Sequence, residues 1–406
     1  MRKDSGLLTN TTKRVEEWKV TKMKVAIIEP NLVDYTGHYY SFVSELKHGF
    51  EELGDEVEVF LPENSKAEIT GGKMVLPPVI SHVGMLKKYK GYISFLIETI
   101  KIRKIIKVAQ QNYDFLIFST ADDGRILNAL ATGKIIKPVV LYFHTFMLSW
   151  YKKQKSIRLF EFLIRLKIPK QPLNFLTTID IDCESNELKI PTNVRLFPNA
   201  PYPLNYPLNF KESNKDNDFY IVYMGAPAKK KNFIKLTEVI SSAPENYGFI
   251  VQCNSRVGFY EPDILEAVKS LKGIKREKII LLESSLSKEE YYKALNQSSI
   301  VWCLYEPDWY KWCISGILLE AWSLGKPVIT TSGTWMAKQA EKYGGGIVLD
   351  TMEVQDILKA IEIIRDDYAR FSAEAEAAGR ILYEKNNGVA LARFIKDIVS
   401  KGNGSV

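Results

Sequence analysis

A chain of 406 residues is long enough for about two domains, each with its own core. Its 46% apolar and 25% charged residues are those of a soluble globular protein, and no uncharged apolar run approaches the ~20 residues of a bilayer span, which excludes a membrane-spanning helical protein. The net charge of +7 favours an anionic partner: a nucleotide, a membrane surface or a phospholipid-linked acceptor. Cys183, Cys253, Cys303 and Cys313 are scattered without a C-x-x-C pair, so they signal neither a disulfide framework nor a zinc ribbon, and they fit a reducing cytosol.

Residues 1–22 are polar, lack the apolar core of a signal peptide and read as a disordered extension ahead of Met23. The first strand is Lys24–Pro30, followed by a polar loop from Asn31 to His38, a helical pattern over Tyr39–Leu53 closed by Gly54, and an alternating strand at Glu56–Leu61. Strand, loop, helix, strand opens a doubly wound α/β sheet, whose ligands bind beyond the carboxyl ends of the strands. Gly37 in that loop allows close backbone approach to a sugar or phosphate, with His38 beside it. Further strands read at Asp114–Ser119, Pro138–Phe143 and Asn174–Ile179, and His144 stands at the carboxyl end of the second of these. Residues 23–200 form this first domain.

A Pro-rich stretch starts at Phe197, and residues 201–218 act as the linker. The second α/β series, residues 219–385, opens with Phe219–Gly225 and continues with strands at Gly248–Gln252, Lys278–Leu282, Ile300–Leu304 and Pro327–Thr331. A strand ending in Gly225 ahead of Lys229, Lys230 and Lys231 can set ammonium groups against phosphate oxygens and stabilise a departing nucleotide diphosphate. Farther on, Ser315, Gly316 and Ile317 open a helix whose free backbone N–H groups and positive dipole end suit a diphosphate. Glu320 lies four residues after Gly316 on the same face and can accept from a ribose diol. Residues 386–406 hold a last helical segment, Gly388 to Ser400, and a flexible tail.

The stretch from Ser315 to Thr331, with Glu320-Ala321 and Gly325-Lys326-Pro327-Val328-Ile329, resembles the nucleotide-sugar site of the retaining GT-B glycosyltransferases of the group 1, or family 4, type. Their pattern places an earlier Glu eight positions before the second, where this chain has Trp312; Lys231-Asn232 matches their Lys, whereas Ala226 stands in place of their Arg. The resemblance implies a GT-B fold, two Rossmann-like domains facing a cleft, with the last helix crossing back onto the first. It implies donor contacts from Gly225, Lys230, Lys231, Ser315, Gly316, Ile317 and Glu320. Gly37 and His38 would then face donor phosphate or acceptor, and His144 the transferred sugar. A front-face transfer with retention follows, catalysed by Lys231 and His144, without a cofactor or metal.

Asp180-Ile181-Asp182 mimics a D-x-D metal motif but reads as a strand-end turn or cap, and Asp122-Asp123 as helix capping. Leu86–Lys107 and Tyr151–Lys170 are basic, aromatic-rich amphipathic segments suited to an anionic membrane surface, although the same pattern serves helices that cover a sheet. No nucleic-acid module accompanies the charge. The expectation is a cytoplasmic enzyme, peripheral on the membrane, that moves a sugar from a nucleotide diphosphate to a glycan, lipid-linked or small-molecule acceptor. The alternatives are a GT-B binding protein without turnover and a GT-B nucleotide-sugar epimerase.

Overall fold

The computed structural model describes residues 22–35, 39–78, 90–121, 124–144, 172–178, 195–197, 199–204, 219–253, 261–284, 286–311 and 313–402. Strand β1 (Lys24–Ile28) leads to α1 (Tyr39–Glu52), β2 (Glu56–Pro62), β3 (Gly72–Leu76), α2 (Lys90–Asn112), β4 (Phe115–Phe118) and α3 (Gly124–Thr132). Then come β5 (Val139–Phe143), β6 (Leu173–Thr177) and β7 (Arg195–Phe197). These seven strands form one sheet in the order β3-β2-β1-β4-β5-β6-β7, every neighbour parallel. The central strands are continuous apolar runs because helices cover both faces. Val25, Ile27, Phe115, Ile117, Val140 and Tyr142 point toward α1. Ala26, Ile28, Leu116, Phe118, Leu141 and Phe143 point toward α2 and α3.

The second sheet starts with β8 (Phe219–Tyr223), a 3-10 turn at Lys229–Lys231, α4 (Phe233–Ser242), β9 (Tyr247–Gln252), α5 (Pro262–Gly273), β10 (Ile279–Leu282) and α6 (Lys288–Gln297). It continues through β11 (Ile300–Cys303), α7 (Pro307–Tyr310), α8 (Gly316–Ser323), β12 (Val328–Thr331), α9 (Trp335–Tyr343) and β13 (Gly346–Leu349). Helices α10 (Val354–Asp366), α11 (Tyr368–Lys385) and α12 (Gly388–Gly402) end the described chain. The six strands run parallel in the order β10-β9-β8-β11-β12-β13. In both sheets the strand order reverses between the first and fourth strands, β1/β4 and β8/β11. A crevice opens at the carboxyl ends of such a pair.

Helix α12 packs on α1 of the first unit, burying Leu391, Ala392, Ile395 and Val399 in that unit's core. A Cβ on Gly388 would lie 1.9 Å from the Glu45 carbonyl oxygen, so the two helix backbones touch only because the side chain is missing. Lys396 closes the contact with bonds of 2.6 and 2.7 Å to the buried Asp55 carboxylate, which also accepts from the Met23 amide at 2.9 Å.

Three strands escape the sequence reading: β3, β7 and β13. All three lie at sheet edges, where one side has no partner strand among the described residues and the apolar run is short. Phe197, read above as the start of the Pro-rich stretch, is the last residue of β7 and pairs with Leu176.

Candidate functional site

At the end of β8 the backbone of Gly225 turns to φ +97°, and its amide donates to Gln252 Oε1 at 2.6 Å, at the end of β9. A Cβ at Gly225 would sit 2.5 Å from Lys231 Nζ. The glycine therefore serves two ends, the turn and the close approach of an ammonium to the backbone. The following 3-10 turn is tied to β11: Asn232, in the left-handed region at φ 51°, donates from Nδ2 to the Leu304 carbonyl at 3.0 Å, and Trp302 Nε1 donates to the Lys231 carbonyl at 3.3 Å.

The three lysines part company. Exposed Lys229 pairs with Glu261 (3.1 Å) and Asp263 (2.6 Å), whose carboxylates hold its ammonium above the usual range. Lys230 is exposed over the Trp309 ring, 5.5 Å from its centre. Lys231 turns inward, its Nζ 5.5 Å from the centre of the Tyr305 ring.

Helix α8 begins at Ser315, which is extended and buried, and whose side chain makes no capping bond to the first amides. Those amides have no acceptor within the helix. A Cβ on Gly316 would be 3.4 Å from the Tyr202 hydroxyl, and half-buried Ile317 follows. One turn on, Glu320 accepts a 2.5 Å bond from the Tyr291 hydroxyl. Burial pushes its carboxyl up to about 7, against the pull of Tyr291 and Lys231. Burial, then Lys230, lowers the Lys231 ammonium to about 8, against Cys303 and Glu320. The carboxyl and the ammonium thus share one poorly hydrated place at the β8/β11 crevice. Desolvation outweighs their mutual attraction, and an added phosphate would favour the charged ammonium.

In the first unit, Glu29 is fully buried at the end of β1. It accepts from the Asn31 amide (2.8 Å), Ser119 Oγ (2.9 Å) and Thr120 Oγ1 (2.6 Å), linking the loops after β1 and β4. His144, after β5, donates from Nε2 to the Ser119 carbonyl at 2.8 Å, so in the neutral ring Nδ1 is the basic nitrogen. Its ring meets Phe42 at 4.6 Å, Phe42 meets Tyr202 at 5.9 Å, and Tyr202 reaches Gly316. Tyr202 is further anchored by its amide, which donates to Asn386 Oδ1 at 2.9 Å.

Gly225, Lys231, Ser315, Gly316, Ile317 and Glu320 therefore gather at one crevice, with Lys230 on its exposed side. His144 is joined to them through two aromatic rings. Gly37, His38, Asp122, Asp123, Trp312, Asp180, Asp182 and the segment Tyr151–Lys170 lie outside the described residues. Among the described residues no group of three His, Cys, Asp or Glu is placed to hold a metal ion. Sequence reasoning missed Gln252, Tyr291, Tyr305, Tyr202 and Glu29. Position could have found three of them, because Glu29, Gln252 and Tyr305 stand at or just past the ends of sheet strands.

No family model and no curated protein matches this chain in sequence. Solved structures do resemble it. The sucrose-phosphate synthase of Thermosynechococcus elongatus superposes with a TM-score of 0.66 at 11% identity, covering 94% of this chain and 99% of its own. Anabaena HepE in complex with UDP-glucose does so with a TM-score of 0.64 at 13% identity, covering 93% and 100%. A Listeria monocytogenes protein described as a UDP-N-acetylglucosamine 2-epimerase gives a TM-score of 0.58 at 16% identity, covering 95% and 98%. The two parallel sheets and these likenesses give the chain the GT-B fold.

Proposed function

We propose that this chain is a glycosyltransferase that moves a sugar from a nucleotide diphosphate to an acceptor with retention. The observation that carries the reading is the meeting of Lys231, the uncapped opening of α8 and Glu320 at the β8/β11 crevice. The amides at Gly316 and Ile317, with Lys231, hold the diphosphate, and Glu320 accepts from the ribose. Gly225 keeps the approach open, and Lys230 adds positive charge at the rim. His144, oriented by Ser119, meets the transferred sugar, and the proposal gives Gly37 and His38 the donor phosphate or the acceptor.

As the bond from the anomeric carbon to the phosphate oxygen breaks, negative charge builds on the leaving diphosphate, where Lys231 and the α8 amides oppose it. The acceptor hydroxyl attacks the same face, and its proton passes to the departing phosphate. The chain's own cations and amides suffice for this step, so the proposal involves no cofactor or metal. HepE, solved with UDP-glucose, supports a nucleotide-sugar donor. The acceptor is a glycan or a lipid-linked molecule, and the protein works from the cytoplasm, peripheral on the membrane.

Epimerisation of a nucleotide-sugar is the second reading, favoured by the likeness to the Listeria protein. A screen of UDP-, ADP-, GDP- and dTDP-sugars for diphosphate release, with and without lipid extract and EDTA, separates the readings. The transferase reading expects acceptor-dependent release that survives EDTA, and a product whose anomeric configuration matches the donor. Conversion of the donor sugar without an acceptor would establish the epimerase. Binding without either reaction would establish a protein that only binds nucleotide-sugar.

A further inference from the structure

Tyr305 stands two residues past the end of β11, at the crevice, and is 2% exposed. Its hydroxyl has no hydrogen-bond partner among the described residues. A buried hydroxyl left this way bears the full penalty of leaving water, so folds rarely keep one without a reason. Other tyrosines at the crevice are satisfied: Tyr223 donates to the Ala226 carbonyl at 3.1 Å, and Tyr291 to Glu320. Replacing Tyr305 by phenylalanine would keep the ring and remove the cost, which makes the hydroxyl the part to explain.

Its surroundings identify the missing acceptor. Lys231 Nζ lies over the Tyr305 ring, and the Tyr310 ring packs 4.6 Å away, fixing the phenol in place. Burial pushes the phenol well above its usual range, with Cys303, Tyr310, Tyr223 and Glu320 adding to the shift, so the group stays a protonated donor. A donor held beside an ammonium calls for an acceptor-only anion, and phosphate is one. Ribose and base edges mix donors with acceptors and bring no charge to balance Lys231.

We infer that the Tyr305 hydroxyl is a binding group of this crevice, donating to a phosphate oxygen of a nucleoside diphosphate held by Lys231. The inference rests on the reading of the crevice as a nucleotide-diphosphate site, and it adds a residue outside the motif resemblance.

The test compares wild type and Tyr305→Phe by calorimetry with UDP, ADP and GDP, and then with inorganic pyrophosphate, alongside thermal melting without ligand. The expected result is a melting point equal to or above that of the wild type. Affinity for the nucleotide that binds the wild type should fall about 10- to 100-fold, with a matching loss for pyrophosphate. Unchanged affinity in a folded variant overturns the role of Tyr305 and leaves the site reading intact. A loss for the nucleotide but none for pyrophosphate overturns the phosphate contact. A lowered melting point shows that the hydroxyl already serves the fold and overturns the inference. A wild type that binds none of these probes overturns the site reading and the inference with it.

Discussion

Glu320 and Lys231 carry the residue-scale predictions. Glu320→Ala should weaken nucleoside diphosphate binding by about 1–3 kcal/mol, the scale of lost charge-assisted hydrogen bonds. Calorimetry giving wild-type affinity in a folded variant would remove the ribose assignment. The two titrations also set a pH window. With its carboxyl raised to about 7 by burial, Glu320 loses its acceptor charge as pH falls through that value. With its ammonium lowered to about 8, Lys231 loses its charge as pH rises through that value. Affinity should peak between about 7 and 8, and Glu320→Gln should flatten the acid limb. Stability follows the opposite logic for Glu320. Its folded value lies above the 4.5 of a free carboxyl, so its contribution is full below about 4.5 and is lost as pH rises through about 7. Glu320→Gln should therefore melt higher than wild type at pH 8. Lys231→Ala should lower kcat by about 10²-fold or more, since it removes charge from the leaving phosphate. Full activity would transfer the role to Lys230, because Lys229 is already paired with Glu261 and Asp263.

At the scale of elements, the contact between α1 and α12 is the most constrained. Gly49 and Gly388 face each other: a Cβ on Gly49 would lie 2.1 Å from the Gly388 carbonyl carbon. Gly388→Ala should force the helices apart and lower stability by about 1–3 kcal/mol, the usual cost of overpacking. Denaturant titration would register it, and an unchanged midpoint would mean that α12 docks less tightly than the geometry states. The strands show how burial governs legibility. β1, β4, β5, β8, β11 and β12 lie inside their sheets and read directly as apolar runs. β3, β7 and β13 are edges, and β3 leaves Gly72–Val75 exposed, so no strong pattern marks it.

Over the whole molecule, no described helix is long and apolar enough to cross a membrane. Helix α2 nevertheless presents an outward face on which Leu96, Ile97, Ile100 and Val108 are each more than half exposed. Lys101, Arg103, Lys104 and Lys107 are exposed on the same helix, while Glu98 turns inward to a 2.7 Å pair with Arg125. Removing that one acid from the surface leaves a face of apolar groups and cations, which suits an anionic bilayer. Each such cation contributes about 1 kcal/mol near an anionic surface, and the effect fades with salt. The chain should cosediment with anionic liposomes at low salt, and the triple change Lys101→Glu, Arg103→Glu, Lys104→Glu should abolish it. Absence of binding at every salt concentration would leave α2 as a sheet-covering helix and point to a soluble acceptor.

Two parallel α/β units, their central strands, and the glycine and helix opening that mark the second crevice are legible in the amino-acid order alone. These are local properties: an apolar run, a strand-ending Gly225, and small residues ahead of Glu320 act through neighbours in the chain. Which lysine turns inward depends on the folded chain, because Asp263 and Glu261 claim Lys229 from another segment. Folding likewise brings Tyr291 to Glu320 across 29 residues, and lets Asn232 anchor the lysine turn to Leu304 across 72. The Tyr305 hydroxyl, unpartnered among the described residues, belongs to the same class. Burial and hydrogen-bond satisfaction depend on what several distant segments bring to one point, and no spacing within a single segment encodes them.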